Sequence, residues 1–198
     1  VTGLNNGTIR SANGDVTLSA GASNASGVIV ADTGDITANS QDILADAGES
    51  LTLAAENGTI AAKDVTATNV QAKTLTASGD VTVTDGVLNT KDASSVGSLA
   101  LNNASGVVGE LTAGATTLSN GSSLSAEKLI MSGDLTVGSN ADTKGGTTLM
   151  VDALNLSGND LLIDPAWGTA STNVAVGSFT GTTVADVEIN GNVGVGMN

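Results

Sequence analysis

Apolar and polar residues alternate along most of this chain, in short bursts. In Asp80-Val81-Thr82-Val83-Thr84 every second side chain is apolar. Val16-Thr17-Leu18, Leu51-Thr52-Leu53, Leu99-Ala100-Leu101, Leu135-Thr136-Val137 and Leu154-Asn155-Leu156 repeat that pattern. A period of two belongs to a strand with one face buried. It predicts that Val81 and Val83 point inward while Thr82 points out. Apolar residues at helical spacing over three turns are hard to find. Gly, Asn, Asp and Ser fall between the bursts and supply the turns and positive φ angles that sharp corners require.

A longer period overlies the short one. Gly14-Asp15-Val16-Thr17 returns as Gly34-Asp35-Ile36-Thr37, Gly79-Asp80-Val81-Thr82 and Gly133-Asp134-Leu135-Thr136. Aligning Gly14, Gly34, Gly58 and Gly79 gives steps of 20, 24 and 21 residues, with three short apolar stretches inside each. Gly79 and Gly133 lie 54 residues apart, which predicts a loop inserted near Asp92 to Gly97. Self-similarity at this spacing marks a solenoid. The Leu/Asn consensus of leucine-rich repeats and the helix formers of helical repeats are both missing. The expected fold is therefore all-β: a right-handed parallel β-helix, a three-sided β-solenoid of about 20–25 residues per coil. Coils stacked about 4.8 Å apart would align inward Val, Leu and Ile in ladders, and about nine of them would make a rod roughly 43 Å long.

Residues 1–163 read as solenoid coils. "LLIDPAWGTAS" (161–171) then brings the chain's one proline, Pro165, and its one tryptophan, Trp167. Proline cannot donate to a central ladder, so Leu161-Leu162-Ile163 must end there, and 164–172 is expected to be a corner or loop. Residues 173–198 resume alternation as further coils or a partial cap. Val1-Thr2-Gly3-Leu4 carries no basic segment or apolar stretch of the secretory type, and no window is long enough to span a bilayer. Both ends read as repeat, which suggests a segment of a longer chain.

Composition narrows the partners. Forty per cent of residues are hydrophobic but only 1% aromatic, so Val, Leu, Ile and Ala must fill a narrow interior. Six basic against twenty acidic residues give a net charge of −14, which argues against nucleic acid and anionic membrane surfaces as partners. With no Cys and no His, disulfides, thiolate zinc sites and a His-based triad are excluded.

The strings "NGDVTLSAG" (13–21), "SLTLAAENGTIAA" (50–62) and "TLTASGDVTV" (74–83) resemble the passenger and repeat regions of large bacterial secreted surface proteins, namely filamentous-haemagglutinin-like exoproteins and autotransporter adhesins. The resemblance covers residues 1 to about 163. It implies an extracellular, non-catalytic stalk or adhesin segment, on a bacterial surface or secreted, whose partner is a protein or glycan on a host or neighbouring cell. It carries over no functional residue: no catalytic, cofactor-binding or metal-binding residue and no cofactor is expected.

Several residue sets have a chemical reading beside a structural one. The Gly-Asp corners place Asp15 and Asp35 one coil apart, where two charges repel by about 0.9 kcal/mol even in water, so a long aspartate ladder would need calcium. Thr59 interrupts that ladder and the Gly-Gly-x-Gly-x-Asp calcium pattern is absent, so each Asp is expected to bond its own backbone and shape its corner. A polysaccharide-active β-helix enzyme is the alternative from another class. It needs paired carboxylates and aromatic platforms, and only Trp167 and Phe179 are on offer. A third reading is a binding module whose ligand sits on the Asp92–Gly97 or Asp164–Thr172 excursion. The pairs Thr66/Thr68, Thr74/Thr76 and Thr82/Thr84 are expected on successive sides of one coil. Asn-x-Ser/Thr sequons at Asn6, Asn24, Asn57, Asn103, Asn120 and Asn155 fall mostly where turns favour Asn. Unpaired backbone at the solenoid ends predicts end-to-end self-association.

Overall fold

The computed structural model describes residues 6–138, 146–164, 172–181, 187–189 and 194–196, the last two stretches as backbone only. Among the described residues there is no helix, and eighteen strands join one hydrogen-bonded sheet. Its pairings are parallel, and partners lie about one sequence repeat apart: Ile9 faces Ile29, Ile29 faces Leu53, and Leu53 faces Val70. Parallel strands buried on one face require such returns, because no tight hairpin can join them.

The pairings fall into three ladders. The first continues from Val70 to Leu88, Gly106, Leu124, Leu149 and Val174. The second runs Val16, Ile36, Ile60, Leu75, Ser94, Leu111, Leu129 and Leu154. The third holds Ala22, Ile43 and Val65, then Val81, Leu99, Thr116, Leu135 and Leu161. The long Val65–Thr90 strand serves all three in turn. Its burial alternates as the sequence demands: Val81 and Val83 are fully buried and Thr82 between them is half-buried. The described core is built from Val, Leu, Ile, Ala and Met131, without an aromatic ring. Each fully buried Val, Leu or Ile contributes about 1.5–3 kcal/mol, so a narrow aliphatic interior suffices when it is long.

Two expectations need correction. Gly14, Gly34 and Gly58 do stack, since a Cβ on Gly34 would press on the Gly14 backbone and one on Gly58 on the Gly34 backbone. Gly79 does not continue that column. It lies against Lys63 and Asp64 and begins a second column with Gly97, Gly114 and Gly133 at another corner. The 54 residues from Gly79 to Gly133 thus hold three successive steps of 18, 17 and 19 residues, and no inserted loop. Only 91–93 leave the sheet near the expected excursion, and Ser94–Asn102 is a strand. Register offsets accordingly drop to 15–19 residues in mid-chain, below the expected 20–25, and reach 26 between Leu135 and Leu161. Long offsets contain a turn such as Asp46–Ser50.

The strand Leu161–Ile163 ends where the proline demands. Pro165 and Trp167 lie outside the described residues. The two ends of that excursion meet: the Thr172 hydroxyl donates to the Asp164 carbonyl at 2.7 Å. Asn173–Phe179 then rejoins the first ladder opposite Thr148–Leu154.

Candidate functional site

The recurring Gly-Asp phrase forms a clamp between coils. Asp15 Oδ1 accepts the backbone N–H of Asp35 at 2.9 Å, and Asp35 Oδ1 accepts that of Thr59 at 2.6 Å. Asp134 Oδ1 accepts from the N–H of Asp160 at 3.1 Å, and Asp80 Oδ1 takes the Ser98 hydroxyl at 2.7 Å. Glycine precedes each of these aspartates, and at Gly34, Gly79 and Gly133 a Cβ would press on the preceding coil. The carboxylate therefore bonds the following coil, not its own backbone as the sequence suggested. A turn N–H that no ladder satisfies would cost about 1–3 kcal/mol if left bare and buried, and the aspartate answers it.

The third corner is clamped by hydroxyls, in the opposite direction. Ser26, Ser122, Thr147 and Thr172 are all buried where the chain enters the first ladder. Ser26 Oγ accepts the N–H of Asn6, Ser122 Oγ that of Ala104, and Thr147 Oγ1 that of Gly121, at 2.9, 3.1 and 3.1 Å. Each reaches back to the preceding coil. Beside them runs a column of left-handed residues, Asp85, Asn103 and Asn120, with φ of 55°, 51° and 55°. The Asn103 amide donates to the Asp85 carboxylate, and Asn120 Nδ2 donates to Asn102 Oδ1 at 2.8 Å.

These facts place the sequence-level candidates. Of the sequon asparagines, Asn6, Asn24, Asn103 and Asn120 have positive φ, as turn residues do. Asn57 Nδ2 donates to the Asp32 carbonyl at 3.0 Å, and Asn155 Oδ1 accepts the Ser157 N–H at 2.9 Å. The threonine pairs are not on successive sides of one coil: Thr66 and Thr82 both belong to the third ladder, and Thr74 and Thr76 to the second. Thr66, Thr68, Thr84 and Asp85 border a shallow depression under the Asp46–Ser50 turn. Phe179 follows Leu154 on the second ladder and is half exposed. Among the described residues no three acidic side chains gather as a metal would require.

Sequence reading missed the ion pairs. Every described basic side chain has an acidic partner, usually on another coil: Arg10 with Asp32 at 2.8 Å, Lys73 with Asp92 at 3.6 Å, Lys91 with Glu56 at 3.9 Å and Lys128 with Glu110 at 3.3 Å. Lys63 reaches two carboxylates, Asp64 at 2.8 Å and Asp42 at 3.3 Å. Its hydrogen bonds to Asp64 and Asp42 raise the Lys63 pKa. The Lys63 hydrogen bond, and then the N–H of Asp80 at 2.8 Å, hold the Asp64 carboxyl below its ordinary value. A spacing of about one repeat could have signalled Arg10 with Asp32, Lys63 with Asp42, Lys73 with Asp92 and Lys128 with Glu110, but not Lys91 with Glu56, 35 residues away. The Thr90 and Thr116 hydroxyls, by contrast, face the core with no partner. Set against family models, curated proteins and solved structures, the chain matches none.

Proposed function

We propose that this chain is a right-handed, three-sided parallel β-helix of short and long coils, serving as a stiff, non-catalytic segment of an extracellular bacterial surface or secreted protein. The observation that supports it most is the continuity of the ladders, with carboxylate and hydroxyl clamps at the corners between several successive coils. Such a stack resists bending because neighbouring coils share backbone hydrogen bonds, side-chain columns and corner bonds. Many polar groups of the described corners are spent on that stacking. A spacer that holds an adhesive surface away from the cell needs this construction, and a protein or glycan on another cell is the partner we assign it. Two measurements test the reading. Small-angle scattering should give a rod with a long axis near 43 Å or more, at about 4.8 Å per coil. Antibodies against the chain should label intact producing cells or their medium; labelling only after lysis would overturn the extracellular assignment.

A further inference from the structure

Beyond Arg10 in its first coil, the outward side of the first ladder carries no charge, as is also true of the third ladder from Leu44 to Leu162, but it is the one that gathers exposed apolar side chains among the described residues. Between Val28 and Ala175 its outward positions are Val, Thr, Ala, Asn, Gln, Ser and Met alone. This holds in a chain with twenty acidic residues and a net charge of −14. Three of the four large apolar side chains exposed among the described residues lie here: Val87, Val107 at 53% and Met150 at 51%. A shallow groove follows Asn89, Val107, Ser125 and Met150 along the axis.

The border of this face, at the corner toward the second ladder, is charged in an ordered way. In successive coils it presents Asp32, Glu56, Lys73, Lys91, Gly109, Glu127 and Asp152. Two acids, two bases, one glycine and two acids follow each other along one line.

We propose that this face binds a second copy of the chain, antiparallel and side by side, about a two-fold axis near Val107 and Gly109. A rotation of this kind turns the rod end for end while keeping both charged borders on the same side. Lys91 then meets Glu127 of the second copy, Lys73 meets its Asp152, and the two Val107 side chains meet at the axis. A two-fold contact must be self-complementary in this manner. Two rods of −14 would repel wherever carboxylates face each other, so they close on a neutral strip, and this one adds exposed apolar side chains and a self-complementary border. A strip about 43 Å by 13 Å removes roughly 1,100 Å² in total from two copies, near the lower edge of specific interfaces, so a weak dimer is expected. The inference uses the ladder geometry and is independent of the extracellular assignment.

Sedimentation velocity and small-angle scattering of the whole chain test it. The dimer should form at high concentration, strengthen with salt, and be only about one coil spacing, roughly 5 Å, longer than the monomer. Lys73→Asp and Asp152→Lys should each weaken it at least tenfold, and the double variant should recover most of the loss. Met150→Asp should abolish the dimer, while Thr117→Asp, outward on the third ladder, should leave it intact. A monomer under all conditions, a dimer of doubled length, or a double variant as weak as the singles would overturn the proposal. Loss with Thr117→Asp equal to that with Met150→Asp would do the same.

Discussion

The carboxylate of Asp35 accepts the backbone N–H of Thr59, 24 residues further on in the next coil, at 2.6 Å. The clamp can be measured. Asp35→Ala leaves that half-buried N–H without its acceptor and should cost about 1–2 kcal/mol. Asp35→Asn keeps a carbonyl oxygen in place and should cost less than half as much. Urea denaturation midpoints decide; equal losses would show that the acceptor contributes nothing.

Glycine has a different value at different heights in one column. A Cβ on Gly58 would run into the Gly34 carbonyl, whereas one on Gly14 would find only Ser11 Oγ at 3.8 Å. Gly58→Ala should therefore destabilise by about 1–3 kcal/mol through overpacking. Gly14→Ala should be neutral or stabilising by up to about 1 kcal/mol, since it narrows the unfolded ensemble. Thermal midpoints in the reverse order would contradict the stacking.

Alternation makes its own demand. Val83→Asp places an unpaired carboxylate in the aliphatic interior and should cost about 3–5 kcal/mol. Thr82→Asp, one residue away on the outer side, should cost about 0.5 kcal/mol or less. Chemical denaturation of the pair would expose a wrong register at once, through equal losses.

The hydroxyl of Thr116 is buried without a partner between Leu99 and Leu135 on the third ladder. Thr116→Val keeps the shape and removes the stranded group, so it should raise stability by about 1 kcal/mol. A calorimetric midpoint that falls would mean the hydroxyl is satisfied in solution.

Stability should also respond to pH through Asp64 and Lys63. Asp64 titrates lower in the folded chain than its ordinary 3.8. Its contribution is therefore complete above that value and disappears as pH falls through the folded pKa. Lys63 titrates higher than its ordinary 10.5, so its contribution is present below that value and fades as pH rises through the folded pKa. Lys63→Met should flatten both limbs of the stability profile, and Asp64→Asn chiefly the acid one. Profiles unchanged by both variants would leave the trio without a part in folding.

The strands were legible in the sequence because alternation is local: Leu135–Val137, Leu161–Ile163 and the buried Val81 and Val83 lie where the pattern put them. Coil length was less legible. Gly-Asp encodes a corner packed on the preceding coil, but not which corner, so Gly79 looked equivalent to Gly58 although it starts another column. From that one confusion came the spurious loop at Asp92 to Gly97. Ion pairs such as Lys128 with Glu110 were hidden too, because they depend on an 18-residue offset that no short motif records. The uncharged strip became visible only once the register aligned Val107 with Ser125 and Ser125 with Met150.

Strict alternation leaves one ambiguity that the corners remove. Shifting a strand by one residue turns its apolar side outward, but shifting it by two restores the same sides. An aliphatic ladder of Val, Leu and Ile would tolerate such slippage with little loss, since neighbouring inward residues are nearly interchangeable. Carboxylates that reach forward and hydroxyls that reach back fasten coils to their neighbours at fixed points, and a two-residue frameshift would unmake those bonds. The corner residues thus act as indexing pins: the hydrophobic pattern says which way each side chain faces, and Asp15, Asp35, Ser26 and Ser122 say which neighbour it must face.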